Sequence, residues 1–163
     1  MVRLCTAILI AASVSIVSPA ALASGQEVPD PQRQSIEQAI RAVQAQMMEA
    51  AGRLDAVALY GHVLDTDTPP IIEDGRLMPT HAAAFANTAT GLQGLARVSY
   101  AYTREHITVI SPAAALWVGE GMASATLEDG RQIAAPFAET LLFVQREGQW
   151  KILHAHRSTP DQR

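Results

Sequence analysis

Cysteine is almost missing from this chain of 163 residues: Cys5 stands alone near the N-terminus. A lone thiol there leaves no disulfide framework and no cysteine chemistry for the rest of the chain, which must hold together by packing. Lysine is as scarce, with Lys151 alone beside eleven arginines. The basic residues are scattered and the net charge is −4. Such a balance excludes the clustered basic face that phosphate backbones require, so no nucleic-acid partner is expected. No second long apolar run follows the first 25 residues. A Gly-rich phosphate loop is also missing, because Gly119-Glu120-Gly121 falls inside a strand-like run rather than between strand and helix. No Gly-x-Ser-x-Gly elbow occurs. Neither a cofactor nor a metal is expected.

What is present begins with a leader. Met1-Val2-Arg3 is basic, Leu4 to Val17 is apolar, Ser18-Pro19-Ala20 breaks the run, and Ala21-Leu22-Ala23 forms an A-x-A box. This is the pattern of a secretory signal peptide, residues 1–23. An apolar run of about 14 residues is short for a spanning helix, which needs about 20. Cys5 precedes that run, so it is not placed as a lipoprotein anchor. Cleavage after Ala23 leaves 140 residues, and the loss of Arg3 takes the net charge to −5. Export to a bacterial periplasm or the medium is the expectation, with no stable membrane association after cleavage. About 140 residues suffice for one cored domain.

Residues 24–34 are polar with two prolines and read as a flexible tether. Ser35-Ile36-Glu37-Gln38 reads as a capping box. Ile36, Ile40, Val43 and Met47 then form a helical stripe that Gly52 ends. Asp55 opens a second helix, with Leu54, Val57, Ala58 and Leu64 on one side. Ile71-Ile72 is a short strand at most, closed by Asp74-Gly75. Thr80 caps a third helix carrying Phe85 and Leu92. Four strand-like runs follow, Val98–Ile110, Ala114–Leu127, Gln132–Gln145 and Gln149–Ser158. Ser111-Pro112, Asp129-Gly130 and Glu147-Gly148 separate them. Helices segregated from an antiparallel meander define an α+β domain, residues 35–159, with 160–163 as a tail.

The hairpins set the registers. If Asp129-Gly130 and Glu147-Gly148 are both two-residue loops, Glu120 lies opposite Glu139, and Glu139 opposite His156. One face then carries Leu116, Val118, Glu120 and Met122 on one strand. Phe137, Glu139, Leu141 and Phe143 follow on the next, then Trp150, Ile152, His154 and His156. Arg146, Lys151 and Arg157 on the reverse of the last two strands make this the inner face. A three-residue turn with a G1 bulge is also common at x-Asp-Gly; it would slip a register and split the row. With the row intact, two carboxylates about 5 Å apart in an apolar wall cannot both ionise cheaply. Such groups serve a polar network, a ligand pocket or acid–base catalysis. His154-x-His156 with Glu139 raises a metal set, but no second His pair supports it. Tyr100 and Tyr102, near Arg97 and Arg104, are read as a sheet face or dimer contact.

The order of elements resembles the nuclear transport factor 2-like superfamily. The features are two helices ending in Ala58-Leu59-Tyr60, a strand before Asp74-Gly75-Arg76, a third helix and a four-stranded meander. The ending Glu147-Gly148-Gln149-Trp150-Lys151-Ile152-Leu153-His154-Ala155-His156-Arg157-Ser158 is similar to that of its SnoaL-like and kinase-association-domain-like branch. The resemblance implies three N-terminal helices packed in a curved, mostly antiparallel sheet, a cystatin-like cone with an internal pocket. It implies frequent dimers and a range of activities from isomerases, cyclases and dehydratases to non-catalytic binding and assembly. The isomerase pattern of a tyrosine on the first helix is missing here. The expectation is therefore an exported domain binding a small, partly apolar molecule. Glu139, His156, Glu120 and His154 would be its polar anchors, and Trp150, Met122, Phe137, Val118, Leu141 and Tyr60 its wall. One alternative is a cofactor-free enzyme moving a proton next to a carbonyl, with Glu139 as base, His156 its partner and Glu120 a protonated donor. The other is a homodimeric assembly module using the outer sheet face.

Overall fold

The computed structural model describes residues 28–66 and 71–160, so the leader and the first part of the tether lie outside it. Helix α1, Asp30–Gly52, starts five residues before Ser35. Asp30 and Pro31 occupy its first turn, where proline's missing N–H costs nothing. Val28 is buried in the core and anchors this start. Ser35 is thus inside the helix and caps nothing, and the segment read as tether is helical from Asp30 onward. Ile36, Ile40 and Met47 are buried as the stripe requires, with Gln44 among them. Leu54, at φ 58°, turns the chain out of α1.

Asp55 accepts a hydrogen bond from Ala58 N at 2.9 Å and opens α2, Ala56–Tyr60. This helix is a single turn, and its Val57 faces solvent rather than the core. The chain continues beside the last strand through a parallel bridge from Val63 to Ile152. Ile71–Glu73 (β1) and Arg76–Met78 (β2) form a hairpin. Asp74 and Gly75 both take positive φ at its turn, as a two-residue type I′ connection demands. Thr80 caps α3, His81–Gly91, accepting from Ala83 N at 3.1 Å. The third helix therefore follows a hairpin rather than standing with the other two ahead of all strands.

Strands β3 (Leu95–Ser111), β4 (Ala114–Leu127), β5 (Gln132–Arg146) and β6 (Gln149–Ser158) complete a six-stranded sheet of order β2-β1-β6-β5-β4-β3. Only the β1–β6 pairing is parallel. Bulges in β3 and β6 add local bend and twist. The sheet curves around α1 in an α+β cone. Its main core joins Ile36, Ile40 and Met47 of α1 to Ile107, Trp117, Leu141, Phe143, Trp150 and Ile152. No helix among the described residues is long and apolar enough to cross a membrane.

Two local events fix which side chains face inward. The β4–β5 loop is three residues, Glu128-Asp129-Gly130, with Gly130 at φ 86° and Leu127 N bonded to Arg131 O at 2.8 Å. Glu120 consequently pairs with Ala138, and Gly119 with Glu139. The Glu147-Gly148 loop does have two residues, both at positive φ, with Arg146 opposite Gln149. However, the β5–β6 register shifts between Phe143–Ile152 and Leu142–His154, leaving Leu153 extra in β6. The bulge reverses every side chain beyond it.

Candidate functional site

The three-residue loop removes the expected carboxylate row. Glu120 is on the outer face, bonded to Arg104 Nε at 2.7 Å, while Glu139 is buried on the inner face. Val118 and Met122 share the outer face with Glu120, contrary to the expected wall, and Met122 is exposed. The β6 bulge removes the histidines as well. Thr140 stands opposite His156, and Leu142 opposite His154, so both histidines leave the inner face. His156 lines a broad, open outer depression with Arg104, His106 and Glu120. Neither Glu139 with His156 nor Glu139 with Glu120 is a pair, and the expected proton-transfer arrangement is not assembled. Glu139 does not join His154 and His156 as a metal set either. Among the described residues no group of three metal-ligating side chains converges.

The same bulge brings Arg157 inward, directly opposite Glu139. Arg157 Nη2 and Nε donate to Glu139 Oε2 at 2.9 and 3.1 Å, and Nη1 donates to Tyr100 Oη at 3.2 Å. Tyr102 Oη donates to Glu139 Oε1 and accepts from Gln44 Nε2 at 2.9 Å. A continuous chain of hydrogen bonds thus ties α1, β3, β5 and β6 together. Aromatic rings brace it. Phe137 meets Tyr100 and Tyr102 edge to face at 5.5 and 5.3 Å, and the Arg157 guanidinium lies 4.7 Å from the Tyr100 ring centre. Tyr100 and Tyr102 are therefore interior groups rather than an outer contact surface.

Burial and pairing set the ionisation of this network. Burial, and then the negative charge of Glu139, hold the Tyr102 hydroxyl well above the usual tyrosine range. For Arg157, burial is the largest effect and opposes its charge. Glu139 and Tyr100 outweigh it, and the guanidinium stays protonated. A buried ion pair is tolerated when its remaining hydrogen-bonding groups are satisfied. Here both oxygens of Glu139 have partners.

Glu139, Tyr100 and Arg157 line a half-open cavity of about 500 Å³. Met48 and Ala51 of α1, Leu59 and Tyr60 of α2, Ile71 and Met78 of the hairpin, and Val98 of β3 give it an apolar wall. Tyr60 belongs to this wall. Its hydroxyl meets Thr88 Oγ1 at 3.0 Å, and burial raises its pKa above the ordinary value. Glu73 also lines the cavity, accepting from Asn87 Nδ2 at 2.8 Å. Phe137 supports Arg157 from behind. Leu141 and Trp150 are inward but packed into the solid core at the other end of the sheet. Gln44 and Glu73 carry no signal in the sequence, whereas Tyr100 and Tyr102 read only as a sheet face or dimer contact and Arg157 as outward-facing. The alternation of Tyr100 and Tyr102 on one strand was a usable sign of a shared face.

Solved structures place this architecture in the nuclear transport factor 2-like fold. A candidate scytalone dehydratase from Novosphingobium aromaticivorans aligns with TM-score 0.72 at 13% identity, over 80% of this chain and 88% of its own. A candidate dehydratase of the NTF2-like family from Streptomyces avermitilis aligns with TM-score 0.70 at 14% identity, over 78% and 99%. A protein with a cystatin-like fold from Caulobacter vibrioides aligns with TM-score 0.64 at 21% identity, over 77% and 90%. The chain belongs to the SnoaL-like domain family, whose profile matches residues 40–162. No functionally curated protein matches it.

Proposed function

We propose that this protein is an exported SnoaL-like domain that holds a small, partly apolar molecule in its cone cavity. The observation that carries the proposal is the cavity itself: about 500 Å³, mostly apolar, with the Glu139–Arg157 pair, Tyr100 and Glu73 among the polar groups that line it. Apolar concavities with a few convergent polar groups are the usual form of small-molecule sites. Binding is favoured over proton transfer by Glu139, because its two oxygens are already engaged by Tyr102 and Arg157 and His156 lies on the other face. Export rests on the leader of residues 1–23.

Native mass spectrometry of protein recovered from the periplasm or medium of its own cells tests both parts. The expected species lacks the first 23 residues and carries a bound molecule that denaturation releases. An uncleaved chain would contradict export. A chain that neither carries nor takes up any apolar small molecule would contradict the binding role.

A further inference from the structure

Glu73 and Arg157 are direct partners in the parallel β1–β6 pairing, and both line the cavity. Adjacent strands are about 4.8 Å apart, so the two side chains enter the cavity side by side. Tyr60 lines the same cavity beside them.

Their unused capacities are complementary. A guanidinium has five N–H donors. In Arg157 three are engaged, two by Glu139 and one by Tyr100. The Tyr100 hydroxyl accepts from Arg157 and has no acceptor for its own proton among the described residues. This side of the cavity is rich in unused donors. Glu73 is the opposite: Oε2 accepts from Asn87, and Oε1 has no partner among the described residues. No ion pair to Glu73 forms within 4 Å there. Arg76, the partner of Glu73 across the β1–β2 hairpin, and Asp74 also line the cavity. Its charged lining is therefore Glu73, Asp74 and Glu139 against Arg76 and Arg157, which leaves it net negative by one.

We infer that the cavity selects a neutral molecule whose polar end carries a hydrogen-bond acceptor and a donor side by side, as in a carboxamide or a hydroxy-carbonyl group. The acceptor meets Arg157 and Tyr100, and the donor meets Glu73. This rests on the proposed binding role and adds the chemical class of the ligand. A carboxylate of the same shape would satisfy the donors but would face Glu73 with a second negative charge and no proton to offer. A methyl ketone would leave Glu73 unpartnered.

Three probes with one ring system separate these cases: 2-naphthamide, 2-acetonaphthone and 2-naphthoate, titrated calorimetrically into the purified protein at neutral pH. A hydrogen bond to a charged group is worth roughly tenfold or more in affinity. The amide is therefore expected to bind about tenfold more tightly than either analogue. Glu73→Leu is expected to abolish the preference of amide over ketone, and Tyr100→Phe to weaken both about equally. Equal affinities for all three, or a preference that survives Glu73→Leu, would overturn the assignment and leave the binding role standing. Binding of none of the three would count against the cavity as a ligand site and so against both.

Discussion

Glu139 and Arg157 face each other across β5 and β6 on the inner face of the sheet, Oε2 to Nη2 at 2.9 Å, and only because β6 carries one extra residue. Without the bulge at Leu153, His156 would occupy the place of Arg157. One residue of register decides whether the cavity is floored by a carboxylate and an imidazole or by a satisfied ion pair.

Breaking this pair from one side leaves the other charge buried. Removing one partner of a buried salt bridge typically costs about 3–5 kcal/mol. Arg157 retains some contact with the cavity, so Glu139→Ala is expected to cost about 3 kcal/mol, at the lower end. Replacing both residues by leucine should recover most of the loss. Urea unfolding of the two variants measures the difference.

Stability should fall in alkali through the tyrosines. Burial first, and nearby negative charge, hold Tyr102 and Tyr60 above the ordinary tyrosine pKa, so the folded state disfavours the phenolate. The unfolded chain ionises near pH 10. Their contribution is therefore intact below that pH and is lost as pH rises beyond it. The urea midpoint should drop between pH 9 and pH 11, and Tyr102→Phe should reduce the drop.

His62 gives the acid counterpart. Burial, and then the charge of Lys151, lower its pKa. The unfolded chain then takes up the proton more readily than the folded one. The stability tied to neutral His62 is complete above about pH 6.5 and declines as pH falls through that value. His62→Gln should flatten the decline, read as urea midpoints at pH 7.5 and 5.5.

The element order was legible because it rests on local chemistry: Asp55 and Thr80 do cap helices, and Glu147-Gly148 does form the two-residue turn. The site was less legible because it rests on counting. Asp129-Gly130 admits turns of two or three residues that differ little in energy. Which one forms depends on the whole β4–β5 pairing. Leu153 carries no mark of a bulge. The shift lies where β6 passes from the segment around Val63 to β1, a long-range cause that no local motif records. Glu139, Tyr60 and Phe137 were placed inward correctly because they lie on segments untouched by either slip.

Gly119 and Gly121 test the inner face of β4. A Cβ at Gly119 would stand 2.3 Å from the Trp117 indole, and one at Gly121 would stand 2.1 Å from the Ala101 carbonyl oxygen. Overpacking typically costs about 1–3 kcal/mol. A side chain yields more readily than a backbone in a bulged pairing, so Gly121→Ala should be the more destabilising. Thermal unfolding of the two variants ranks them.

The outer face should be silent in binding. Arg104 and Glu120 are an exposed pair, worth at most about 1 kcal/mol. Glu120→Gln and His156→Ala should leave the affinity for a cavity ligand unchanged and shift the urea midpoint little.

The most direct measurement uses the methionines. Met48 and Met78 line the cavity, and Met122 lies exposed on the outer face. With methyl-¹³C methionine, titration of 2-naphthamide should move the Met48 and Met78 resonances along one saturable curve and leave Met122 in place. Movement of Met122 while Met48 and Met78 stay fixed would contradict the cavity as the binding site.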